Sequence, residues 1–93
     1  TYQYKINNSN IDITSQSNIY DMVFDTNNYE LKFIAAGPIN TKSKTTLIIP
    51  SNLMTGEHQV FINGVKIPSS SENNQVTFEH IHIGNNQVVI KTN

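Results

Sequence analysis

No cysteine, tryptophan or arginine occurs anywhere in the chain, and glycine (four) and proline (three) are sparse. Without cysteine there is neither a disulfide framework nor a thiolate metal site. The lack of arginine, a net charge of −1 and an isoelectric point near 6.2 exclude the phosphate-tracking surface of a nucleic-acid binder. Lys42 and Lys44 form the one small basic cluster, which suits a solvated strand edge. So few glycines leave no phosphate-cradling loop, and no Gly-x-Ser-x-Gly nucleophile elbow is present. No apolar run approaches the roughly 18 residues of a spanning helix, and no signal peptide is visible, so no membrane insertion by this segment is expected. The chain opens at Thr1 rather than Met, as a mature product or an excised domain would.

What is present points to β-structure. Ile and Val dominate the apolar residues, and both fit a pleated surface. Asn is the most frequent residue, an excess that an AT-rich genome would also produce. Ninety-three residues suffice for one domain with a single core layer, so 1–93 is read as one unit. The most informative stretch is Thr45–Ile67. Pro50 stops a strand ending at Ile49, because it brings no N–H to the ladder, and Pro50–Met54 suits one helical turn closed by Gly56. Asn63-Gly64 between Val60–Ile62 and Val65–Ile67 is a hairpin signal, since a type I′ turn requires φ > 0 at both central residues.

Elsewhere, period-two alternation marks Tyr2–Ile6, Ile11–Thr14, Ile19–Asp25, Tyr29–Ala36, Gln75–Ile83 and Gln87–Lys91 as strands. Thr26-Asn27-Asn28 joins the third and fourth of these as a hairpin, with Met22, Phe24, Leu31 and Phe33 facing the core. The expected core comprises Phe24, Leu31, Phe33, Leu47, Ile49, Val60, Ile62, Phe78, Val88 and Ile90. Over Gln75–Ile83 the two faces compete, and a bulge there would switch the phase. Ser69–Asn74 reads as the most polar and mobile loop, dispensable to the fold. Short strands with turn signals between them fit an antiparallel sandwich or barrel.

The order of landmarks resembles a small β-sandwich module of secreted and cell-surface proteins of archaea, notably ammonia oxidisers and methanogens. The residues that carry the resemblance are Val23-Phe24-Asp25, Gly37-Pro38, Thr46–Leu53, Val60–Gly64, Phe78 and His82, spanning Ile19 to Ile90. The chain departs from that pattern where Gly84–Gln87 holds no second histidine and where Lys42 and Lys44 replace small residues. In this resemblance Gly37 and Gly64 supply unusual φ values. It implies an immunoglobulin-like antiparallel β-sandwich of about seven to eight strands. It also implies an extracellular, non-catalytic structural module: a building block of a surface-layer protein, adhesin or filament. Its partners would be other copies of itself or neighbouring domains. Residues 1–15 precede the region of resemblance, and two readings are open for them: a strand segment that folds back on its own sheet, or an exchangeable N-terminal segment that completes a neighbour's.

The chemistry-bearing residues support no reaction. Asp12, Asp21, Asp25, Glu30, Glu57, Glu72 and Glu79 are scattered, whereas glycoside hydrolysis needs two carboxylates flanking a cleft. No enzyme activity and no cofactor are expected. The alternative is a small metal- or glycan-binding module. His80 and His82, two apart on a strand, project from one face as imidazole ligands can. A closed zinc site would need a third ligand, from His58, Glu79 or Asp12, and no metal is expected on this count. Tyr2, Tyr4, Tyr20 and Tyr29 are candidates for sugar stacking, against the plainer reading as sheet residues with rim hydroxyls. Asn7-Asn8-Ser9 is the single glycosylation acceptor sequence, which makes Asn7 the candidate site.

Overall fold

A computed structural model describes residues 2–6, 8–54 and 57–92. Asn7, the glycosylation candidate, and Gly56 lie outside the described residues. The chain forms ten strands: β1 (Tyr2–Ile6), β2 (Ser9–Ser15), β3 (Asn18–Asp25), β4 (Glu30–Ala36), β5 (Lys42–Ile48), β6 (His58–Ile62), β7 (Val65–Ile67), β8 (Ser70–Glu72), β9 (Gln75–Ile81) and β10 (Asn85–Thr92). They make two five-stranded antiparallel sheets, ordered β1-β2-β5-β9-β8 and β3-β4-β10-β6-β7. The all-β antiparallel sandwich is as expected, but with ten strands rather than seven or eight. Part of the excess comes from Ser69–Asn74. Its middle is β8, paired with β9 through an Asn73-Asn74 turn, and is not a free loop.

Inward positions follow the alternation of each strand. Ile11 and Ile13 (β2), Leu31, Phe33 and Ala35 (β4), Leu47 (β5), Val60 and Ile62 (β6), Val76 and Phe78 (β9) and Val88 and Ile90 (β10) fill the layer between the sheets. Leu53 and Met54 close one end of it from the single turn that begins at Pro50, where Pro50 O accepts the N–H groups of both. Of the expected core, Phe24 alone is only partly buried. The reason is a register break between Tyr20 and Val23, where Asp21 has φ 58°. Before the break Ile19 faces inward; beyond it Met22 and Phe24 do so, at the sheet edge. The phase switch thus sits in β3, while β9 is regular and leaves Ile81 and Ile83 outside.

The turns use asparagine where other chains use glycine. Asn8, Asn40, Asn63 and Asn73 all have positive φ, a conformation that Asn tolerates better than other residues with a Cβ. Asn63 (φ 52°) and Gly64 (φ 83°) make the two-residue turn that sets Ile62 opposite Val65. Gly37 differs from the expectation, because it is not among the positive-φ residues.

Edge strands are a hazard for pairing with other chains, and three of the four edges among the described strands are blunted. β7 and β8 have three residues each, and β3 carries the bulge. β1 is stitched across the sandwich: Tyr2 Oη donates to Ser17 O (3.3 Å) and Tyr4 Oη to Ile19 O (3.0 Å).

Candidate functional site

The inward alternation does not stop where the apolar core stops. Beyond Ile13 in β2 it reaches Ser15 and, after the strand, Ser17. Before Leu47 in β5 it passes through Thr45 and Ser43. After Phe78 in β9 it runs to His80 and then His82, and before Val88 in β10 to Asn86. One end of the sandwich is therefore lined with hydroxyl, imidazole and amide groups instead of hydrocarbon. Ser17, Ser43, Thr45, His80, His82 and Asn86 are all buried. The β4–β5 loop and the β9–β10 turn close this end, joined by backbone bonds from Gly37 N to Gly84 O, Asn40 N to His82 O and His82 N to Thr41 O.

Burying these groups is tolerable because they satisfy one another. His82 Nδ1 lies 2.8 Å from Thr41 Oγ1, whose own proton goes to Pro38 O, so the ring nitrogen is the donor. His82 Nε2 lies 2.6 Å from Ser17 Oγ, which donates to Ser43 Oγ at 2.8 Å. Both hydroxyl oxygens facing this ring can thus accept from it. Ser15 Oγ and Thr45 Oγ1 are 2.7 Å apart and extend the chain of hydroxyls toward His80.

His80 has the opposite surroundings. Asn86 Oδ1 accepts Ile83 N–H (3.0 Å), and Asn86 Nδ2 donates to Ile81 O (3.0 Å) and approaches His80 Nδ1 at 3.1 Å. The two backbone bonds fix which way the amide points, so an N–H faces Nδ1 and makes it an acceptor. The ring proton then resides on Nε2, 3.3 Å from Thr45 Oγ1. The His80 ring is neutral, and burial, followed by the neighbouring His82, lowers its pKa to about 4. The two imidazoles meet edge to face with centroids 5.3 Å apart, and Phe78 packs on the other side of His80.

Of the candidate metal ligands singled out in the sequence, the structure brings together only His80 and His82. Glu79 stands on the outer face of its sheet, 3.5 Å from Lys42. Asp12 is also on that outer face, opposite Gln3 and Ile48. His58 lies at the far end of the sandwich, opposite Thr92, with Nδ1 3.3 Å from Ser71 Oγ and Nε2 buried without a partner among the described residues. Its burial lowers its pKa. Among the described residues no group of three or more His, Asp or Glu side chains is placed to hold a metal. The tyrosines do not share a surface: Tyr2 and Tyr4 turn inward, while Tyr20 and Tyr29 are exposed on β3 and the turn after it. The side chains that complete the buried cluster, Ser15, Ser17, Thr41, Ser43, Thr45 and Asn86, went unread in the sequence. Their signal was phase: each of the buried ones continues an apolar alternation by steps of two.

Ser17 and His82 are in hydrogen-bond contact as in a serine–histidine pair, but Ser17 Oγ donates to Ser43, the third position holds a threonine, and both residues are about 2% exposed. The arrangement ties the closing loops together. Compared with known protein families, curated proteins and solved structures, the chain shows no match to any of the three.

Proposed function

We propose that this chain is a non-catalytic structural module, secreted and displayed at a cell surface, of the archaeal kind that its landmark order resembles. The observation that carries this reading is the sealed polar end. The densest collection of chemistry-bearing side chains among the described residues is buried, and its members bond to one another. Such a layer stabilises loop geometry and positions the surface outside it.

That surface carries exposed isoleucines. Ile81 and Ile83 flank His82, and Ile39 precedes Asn40 in the loop bonded to it; the three are 50%, 63% and 68% exposed. An exposed isoleucine cluster on a rigid pole suits contact with another copy of the module or with a neighbouring domain of a surface protein. The blunted edges favour assembly through such a face over assembly by strand addition.

The test is accessibility in the source cells. An antibody raised against the folded chain should label intact cells, and brief protease treatment of whole cells should remove the labelling. Labelling that appears only after permeabilisation would sink the cell-surface reading.

A further inference from the structure

The two buried histidines differ in what a second proton would meet. Around His82, Thr41 Oγ1 and Ser17 Oγ both have their protons committed elsewhere and can accept from either ring nitrogen. Around His80, Nδ1 faces the N–H of Asn86. A proton there would set two donors against each other at 3.1 Å. Rotating the Asn86 amide would relieve that clash only by making two others. It would turn Oδ1 toward Ile81 O and Nδ2 toward the Ile83 N–H, breaking both bonds that hold the β9–β10 turn.

We propose that the Asn86–His80 contact is an acid-operated latch: a second proton on His80 cannot coexist with it, so acidification frees the β9–β10 turn while the apolar core stays folded. Among the described residues no compensating charge faces His80 from inside the sandwich. His80 is met by Thr45 from β5, Asn86 from β10, and Phe78 and His82 from its own chain segment; β2 contributes Ser15 through Thr45. Among these only His82 has an ionisable ring, and it disfavours a charge on His80 instead of offsetting one. Tyr2 and Tyr4 of β1 also point inward, but their hydroxyls are bonded to Ser17 O and Ile19 O. The charged groups of the surrounding strands face outward: Lys5 on β1, Asp12 on β2, Asp21 on β3, Glu30 and Lys32 on β4, Lys42 and Lys44 on β5, Glu79 on β9 and Lys91 on β10. The freed turn carries Ile83 and adjoins Ile81, and its bond from Gly37 N to Gly84 O ties it to the β4–β5 loop. Acid would thus rearrange the apolar pole itself.

Residue-resolved hydrogen exchange of the intact chain, stepped from pH 7 to pH 4.5 with the intrinsic rate divided out, tests the latch. The Ile83 and Gly37 amides should lose at least about tenfold in protection and at pH 4.5 stay far less protected than the Val60 and Ile90 amides, which open only with the whole fold. Equal protection of turn and core at pH 4.5, or no loss in the turn, overturns the proposal. In a His80→Gln variant, which keeps a donor and an acceptor without titrating, the turn should stay protected at pH 4.5; loosening that persists overturns it as well. Should that variant not fold, the ring ¹⁵N shifts of the natural chain decide. At pH 7 they must show His80 Nδ1 unprotonated, and the reverse tautomer removes the basis of the latch.

Discussion

Gly37 and His82 compete for one space: a Cβ built on Gly37 would stand 2.5 Å from Cε1, 2.6 Å from Nε2 and 2.7 Å from Nδ1 of His82. The glycine is there because the imidazole lies against its backbone. Gly37→Ala should therefore displace the ring from Thr41 and Ser17 and destabilise the chain by about 1–3 kcal/mol, the usual range for overpacking. The pair should be coupled, so that in a His82→Ala background the same substitution costs almost nothing. Urea titration of the four proteins measures this. Additive losses would show that the ring is not what the alanine methyl meets.

A second expectation concerns acid. His80 is held neutral with its pKa lowered to about 4, by burial first and by His82 second. In the unfolded chain the same group titrates near 6.5. Between these values the unfolded state binds more protons, so stability is full above about pH 6.5 and falls as the pH drops toward 4. His58, lowered by burial, adds in the same direction. The His80 contribution amounts to about 2–3 kcal/mol lost by pH 4.5. Thermal melts at pH 7 and pH 4.5 should show the loss, and His80→Gln should remove much of the difference. Equal pH sensitivity in the variant would assign the effect to other groups.

The sandwich was legible because alternation and turn chemistry agree. Asn63-Gly64 forms its type I′ turn, and the faces of β4, β6 and β10 follow directly from Leu31/Phe33, Val60/Ile62 and Val88/Ile90. Three features resisted for different reasons. β8 consists of Ser, Ser and Glu, so no apolar period marks it, and it exists by pairing with β9. The bulge at Asp21 depends on how the β3 edge meets β4, a tertiary matter that a non-glycine residue at φ 58° does not advertise. The buried polar end carries no apolar mark, because Ser43 and Thr45 have the composition of loop and surface residues, although Leu47 and Ile49 set their phase inward. Likewise the asparagine excess, ascribed to composition, puts asparagine at four positive-φ turn positions.

Core substitutions should separate the two halves of the β3–β4 hairpin. Phe33 and Phe78 are about 2% exposed within the layer, and truncating either to alanine should cost about 3–5 kcal/mol. Phe24, past the bulge and only partly buried, should cost clearly less. Chemical denaturation ranks the three. A Phe24→Ala loss equal to the other two would place that ring in the centre of the core and contradict the bulge.

The first strand offers a test of how the edges are kept closed. β1 covers β2 along its whole length, from Tyr2 opposite Ile13 to Ile6 opposite Ser9. Its two tyrosines reach the turn before β3 and β3 itself, where the carbonyls of Ser17 and Ile19 accept their hydroxyls. Tyr4→Phe removes one such bond and should cost about 1 kcal/mol, with the chain still monomeric. Deleting residues 1–6 does something different in kind. It uncovers one flank of the fully buried Ile11 and Ile13 and leaves the β2 ladder unpaired, which is a template for another strand. The truncated chain should self-associate in sedimentation experiments at concentrations where the intact chain does not. A peptide of residues 1–6 supplied in excess should reverse that, because the same ladder and pockets accept the strand in trans. A truncated chain that stays monomeric and equally stable would mean that β1 seals nothing, and strand exchange through this segment would lose its physical basis.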